Sequence, residues 1–125
     1  MTPAEIIRAH ASKQGLDPNS LAYQTQKFLE QPRSQVLLQG DCLFLVRNID
    51  DVAFFYILNG GNAAGYMRAL QMGAEVLRKM GFKQASMRVS DKEKSKKIAA
   101  SIGVSEVSYK QVQSKTDPYL MTMGL

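Results

Sequence analysis

Seven consecutive residues, Asn59, Gly60, Gly61, Asn62, Ala63, Ala64 and Gly65, have the types and order that point most directly to chemistry. They follow an unbroken apolar run at 52–58 (VAFFYIL) and lead into a long amphipathic stretch at about 63–80. A loop of small residues running from a strand into a helix exposes the unpaired N–H groups of the helix's first turn. The positive end of the helix dipole lies at the same place, so an anion such as a phosphate finds donors there. The plainer alternative is a strand-to-helix turn with no ligand, since isolated glycine patterns are weak signals.

Other reactive types are sparse. Cys42 is the single cysteine and His10 the single histidine, too few for a zinc site of the usual kind. Cys42 lies in an apolar run and reads as a small buried hydrophobe. His10 has no partner motif around it and reads as an ordinary surface or half-buried histidine. Lys92, Lys94, Lys96 and Lys97 crowd what reads as the first turns of a helix, where the helix dipole disfavours cations by about 0.3–1 kcal/mol each. They form either a solvated face or a docking patch for an acidic partner or phosphates. A net charge of +5 on 125 residues does not by itself imply nucleic-acid binding, and the cluster lacks interleaved aromatics, so nucleic acid is not an expected partner.

The elements that hold these residues follow from local signals. Thr2, Pro3 and Glu5 make a capping box with proline at the first helical position, and Gly15 is a stop. Asp17-Pro18 starts a second helix with Leu21, Thr25, Phe28 and Leu29 on one face, ending before Pro32. Strands follow at 36–38, 42–47 and 52–58, joined by short turns at Gly40-Asp41 and at 48–51. This is an antiparallel meander whose third strand, apolar on both faces, is central. The helix at 63–80 carries one polar stripe (Arg68, Gln71, Glu75, Arg78, Lys79). Its methionines Met67, Met72 and Met80 read as core filler. A strand at 82–89 follows, parallel to the third because a helical crossover joins them. Ser90 and Glu93 form a capping box for a helix running to Ile102, stopped by Gly103. Strands at 104–113 and 119–123 close the chain.

This order of elements is similar to the GCN5-related N-acetyltransferase (GNAT) superfamily over residues 3–123. Lys79-Met80-Gly81-Phe82 and Ile102-Gly103-Val104 resemble the family's two helix-to-strand junctions. The resemblance implies an α/β fold with a GNAT-like mixed sheet flanked by helices, one domain over 1–125, and acetyl-CoA as cofactor. It implies that the pyrophosphate lies along Leu58, Asn59, Gly60, Gly61, Asn62, Ala63, Ala64 and Gly65. In the family's loop pattern, Gln/Arg-x-x-Gly-x-Gly/Ala, Asn59 takes the first position, Asn62 the first glycine and Ala64 the last small residue; only Ala64 fits. The family's general-acid tyrosine falls on Ala99, four residues before Gly103, so that hydroxyl is absent. The resemblance puts substrate-facing groups at Tyr56, for which a buried core tyrosine is the other reading. Asp91 becomes a candidate base or amine anchor at the acyl site.

The implied activity is acyl-CoA-dependent N-acyl transfer to an amine by direct attack. The alternative is a non-catalytic interaction protein on the same scaffold, such as a phage virion or host-takeover protein. The expected partners are thus an amine substrate or a protein, with a homo-oligomer left open. No apolar run approaches the roughly 18 residues of a membrane span, and no charged-then-apolar leader opens the chain. The expected location is cytoplasmic, or the virion for the alternative.

Overall fold

The computed structural model describes residues 1–104 and 106–125. Helix α1 spans Pro3–Gln14 and α2 Pro18–Leu29. Strands β1 (Ser34–Gln39), β2 (Cys42–Ile49) and β3 (Val52–Asn59) follow, then α3 (Ala63–Lys79), β4 (Gln84–Val89), α4 (Lys92–Ser101), β5 (Val107–Gln111) and β6 (Tyr119–Gly124). The six strands form one mixed sheet in the order β1-β2-β3-β4-β6-β5. Among the described residues only β3 and β4 pair in parallel. The expected GNAT-like architecture is therefore the one observed.

Local chemistry sets each end. Thr2 accepts the Glu5 N–H while the Glu5 carboxylate accepts the Thr2 N–H, a cap of about 1 kcal/mol. Gly15 closes α1 in the left-handed region at φ 66°, which glycine reaches without a Cβ penalty. The β2–β3 hairpin turns on Asp50 and Asp51, at φ 53° and 64°. That is the geometry of a tight two-residue turn, which favours Asn-Gly or Asp-Gly. The Asn48 side chain accepts the Asp51 N–H and offsets part of the strain.

Two apolar clusters sandwich the sheet. Ile6, Ala11 and Leu21 of α1 and α2 pack on Leu43, Leu45 and Leu58. Ala69, Leu70 and Leu77 of α3, with Ala99 of α4, pack on Phe44, Val46, Phe55 and Met121. Burying a side chain such as Phe55 contributes about 2–3 kcal/mol. Gly73 lets α3 approach closely, since a Cβ there would lie 2.9 Å from the Phe44 ring. The buried stripe Ala69, Leu70, Gly73, Ala74, Leu77 leaves Met72 on the far side of the helix and Met80 beyond its end. Both are exposed, so of the three methionines read as core filler only Met67 packs on the core.

Three further expectations are corrected. Asp91, not Ser90, caps α4, its carboxylate accepting the Lys94 N–H. Leu29 is exposed at the end of α2 rather than on its buried face. The strand expected at 104–113 is shorter: Val104 is buried, but its N–H closes onto Ala99 O after the α4 stop, and Ser105 lies outside the described residues. Among the described residues no helix is long and apolar enough to cross a membrane.

Candidate functional site

Strands β3 and β4 pair only through Val52, Ala53 and Phe54 against Gln84, Ala85 and Ser86. Beyond these residues both strands continue, to Asn59 and Val89, without each other. The sheet therefore splays at the carboxyl ends of its two parallel strands, a switch point where α/β sheets bind ligands. Past Phe54, the side of β3 that faces β4 has no strand partner among the described residues, so its backbone N–H groups are open to a ligand. On the α3–α4 face, the splay opens into a mostly apolar cavity of about 240 Å³. Phe55, Tyr66, Met87, Ile98 and Ala99 are among its walls.

The small-residue loop stands at the end of β3, and α1 and the β1–β2 turn bond to it. Leu58 is buried beneath α1. The Asn59 N–H donates to His10 Nδ1 at 3.1 Å, and the Lys13 ammonium donates to Asn59 O and Gly61 O. The Gly60 N–H bonds Asp41 O at 2.8 Å. The Gly61 N–H bonds its own loop's Asn59 Oδ1 at 2.9 Å. Cys42, buried as expected, approaches the same amide oxygen through Sγ at 3.4 Å. A Cβ on Gly60 would meet Met1 Sδ and the Ile6 backbone, and one on Gly61 would meet Asp41. These two glycines thus permit close packing inside the chain, a reason the sequence does not reveal.

Burial is the first cause that holds the His10 imidazole below its ordinary range, and the Lys13 ammonium adds to it. With Nδ1 accepting, the neutral ring carries its proton on Nε2, and a second proton would have to displace the Asn59 N–H. His10 is half-buried, as the sequence reading allowed, but that it and Lys13 hold this loop was not legible from the sequence. Their partners lie far along the chain, and nothing local signals the contact.

The donors left for an anion lie one turn further on. Asn62 caps α3 by accepting the Gly65 N–H at 2.8 Å. Ala63 and Ala64, the first two helical residues, have N–H groups with no acceptor within the helix. The part of the loop open to phosphate is therefore Asn62–Ala64 rather than its glycines.

The remaining candidates separate. Tyr56 is 47% exposed, so the buried-core reading is corrected. Its ring meets the edge of Phe28 at 5.6 Å on the α1–α2 face, because β3's alternation sends Phe55 into the core and Tyr56 out. Asp91 lines the cavity but spends one carboxylate oxygen on its cap. Ala99 is 1% exposed, on the cavity wall. Of the clustered lysines, Lys92 lies over the Tyr109 and Tyr119 rings at 5.6 and 4.6 Å, and Lys96 over Tyr109 at 5.7 Å. Strands β5 and β6 thus bring to the cluster the aromatics it lacks in sequence.

Tyr66, in the first turn of α3, was missed altogether. It lines the cavity beside Phe55, and its hydroxyl has no hydrogen-bond partner among the described residues. Burial, and then the nearby Cys42 thiol, push its phenol above the usual range, so it stays protonated at neutral pH. Among the described residues, no group of three or more His, Cys, Asp or Glu is placed to hold a metal ion.

Comparison with solved structures gives the same architecture. The ribosomal-protein-S18-alanine N-acetyltransferase from Escherichia coli superposes with a TM-score of 0.54 at 16% identity, over 87% of this chain and 76% of that one. A chimera of the spermidine N-acetyltransferase SpeG from Vibrio cholerae and hSSAT superposes with a TM-score of 0.60 at 10% identity, over 98% and 92%. No family model and no curated protein sequence matches the chain. At these identities the likeness establishes the fold, that of the GNAT acetyltransferases.

Proposed function

From a chain with the GNAT fold, we propose an acyl-CoA-dependent N-acyltransferase that moves an acetyl group to an amine by direct attack. The observation that carries this reading is the splay between β3 and β4, which opens on a cavity walled by α3 and α4. Free N–H groups at the start of α3 stand at the end of β3. Bound acetyl-CoA would supply the thioester: the amine forms the C–N bond, the C–S bond breaks, and the nitrogen's proton leaves with sulfur as the free thiol.

This chain's residues divide the work. The N–H groups of Asn62, Ala63 and Ala64 hold the pyrophosphate, with the helix dipole and Lys13 adding positive potential. Leu58, Asn59, Gly60, Gly61 and Gly65 shape that turn. The unpaired N–H groups of β3 beyond Phe54 polarise the thioester carbonyl. Tyr66 keeps a protonated hydroxyl in the cavity and takes the place of the phenol missing at Ala99. Tyr56 faces the acceptor side of the sheet. Asp91 is the carboxylate at the cavity rim, a base or amine anchor.

A second reading is a non-catalytic interaction protein on the same scaffold, such as one of phage virion or host-takeover type, and two observations favour its lack of catalysis. The loop's glycine N–H groups are engaged within the chain, and Ala99 offers no phenol. Thiol release from acetyl-CoA with a panel of amines tests the first reading. Turnover supports it, whereas cofactor binding without turnover favours the second.

A further inference from the structure

A second groove lies where β3 and β4 part, on the opposite face of the sheet, beyond the part that α1 and α2 cover. Its volume is about 130 Å³, and Phe54, Tyr56, Ser86, Arg88, Val112 and Leu120 line it. Strand alternation fixes which side chains face it. Ala85, Met87 and Val89 pack toward α3 and α4, so Ser86 faces the other way, while Arg88, at the splayed edge, borders both the groove and the cavity. The Ser86 hydroxyl bonds Thr122 across β4 and β6 at 2.8 Å.

The groove's charge is one-sided. Among the described residues, Arg88 is its only charged lining residue and no carboxylate lines it. Arg88 is exposed, and no ion pair engages it among the described residues. On the same face Arg47 pairs with Phe54 across β2 and β3. Its Nη1 donates to Gln31, and its Nε is buried without a partner. Glu106 lies against Gly124, at the other end of β6 from Leu120.

We propose that this groove is the acceptor site and that the acceptor is an amine carrying its own carboxylate, of amino-acid type, rather than a polycation. The proposal rests on the acyl-transfer reading and names its substrate class. Within the groove a polyamine would bring ammonium groups beside the Arg88 guanidinium with no lining carboxylate to receive them, since Asp91 and Asp117 line the cavity on the other face. A carboxylate-bearing amine reverses the sign. Its carboxylate pairs with the Arg88 fork, which suits bidentate contacts. Its apolar portion lies on Phe54 and Leu120. Its amino group then points into the splay, between Phe55 and Met87. The guanidinium's charge also opposes protonation of that amine, which favours the nucleophilic form.

L-phenylalanine, phenethylamine and spermidine separate the alternatives, because the first two differ only in the carboxylate. Thiol release from acetyl-CoA is measured with each, alongside NMR titration of the protein with each amine alone. L-phenylalanine is expected to exceed phenethylamine in kcat/KM by about ten- to a hundredfold, the worth of one charged hydrogen-bonded pair, chiefly through KM. Arg88→Met should abolish the difference, and Arg88→Lys should keep part of it. If no amine releases thiol but L-phenylalanine shifts the resonances of Tyr56 and its neighbours in wild type and not in Arg88→Met, the site stands and acyl transfer fails. Preference for spermidine, or equal use of L-phenylalanine and phenethylamine, overturns the proposal while leaving acyl transfer intact. Neither turnover nor shifts with L-phenylalanine overturns it as well.

Discussion

Replacing Tyr66 with phenylalanine removes one oxygen atom from the cavity wall and little else. The hydroxyl has no protein partner among the described residues, so its loss strands no donor or acceptor. The ring still packs on the core around Phe55. Unfolding free energy should stay within about 0.5 kcal/mol of wild type, since no intramolecular hydrogen bond is lost. If Tyr66 protonates the departing sulfur, turnover should fall about 10²–10⁴-fold. At 1.36 kcal/mol per tenfold, that is about 2.7–5.4 kcal/mol of barrier. The assay is steady-state thiol release over a pH series, with urea unfolding of the same samples. The fold also offers a rescue. Ala99 faces the same cavity of about 240 Å³, so Tyr66→Phe combined with Ala99→Tyr should recover part of the lost rate from the other wall. A Tyr66→Phe rate within threefold of wild type would refute the assignment.

Three smaller predictions follow from the same geometry. The His10 ring is held neutral below its ordinary value near 6.5, so its contribution to stability is complete above about pH 6.5 and declines as pH falls through the lower folded value; urea midpoints should drop between pH 7.5 and 5.5 by more in wild type than in His10→Phe, and equal drops would contradict this. Asp51→Gly should stabilise the β2–β3 hairpin by about 0.5–1 kcal/mol, because glycine adopts the positive φ that aspartate holds there under strain; an unchanged or lower midpoint would count against it. Strand β1 is an uncharged edge with Val36 and Leu38 exposed, the kind of edge that pairs with another chain, so Leu38→Lys should reduce any self-association seen by sedimentation at high concentration.

Much of the fold was legible because its signals are local. Thr2-Pro3-Ala4-Glu5 specifies a helix start within four residues, and the apolar run of β3 marks a strand covered on both sides. A parallel β4 follows from the crossover helix between them. Reading failed where neighbours in space decide. Ser90 and Asp91 both suit a cap, and only the backbone geometry selects the carboxylate. Met72 and Met80 match a helical pattern but fall outside the stripe that Gly73 presses against Phe44. The candidate site was half legible. The loop was found, but its glycines face Met1, Ile6 and Asp41, and the free donors belong to Asn62, Ala63 and Ala64. His10, Lys13 and Tyr66 carried no motif, since each takes its role from a contact with a distant segment. The lysine cluster looked bare because Tyr109 and Tyr119 reach it only through the sheet.

The central claim, that the first turn of α3 holds the pyrophosphate of acetyl-CoA, meets its most direct test in Ala63→Pro. Ala63 is the first helical residue, where proline is favoured and fixes φ without breaking an internal bond. Asn62 before it is already extended, at φ −96° and ψ 177°, as a residue preceding proline should be. The substitution deletes one N–H and leaves the helix intact. Calorimetric titration with acetyl-CoA should show binding to wild type and at least about tenfold weaker binding to Ala63→Pro, as expected for a lost hydrogen bond to a charged group, with unchanged unfolding midpoints. Equal affinity in the two proteins, or no heat from wild type, would contradict the account.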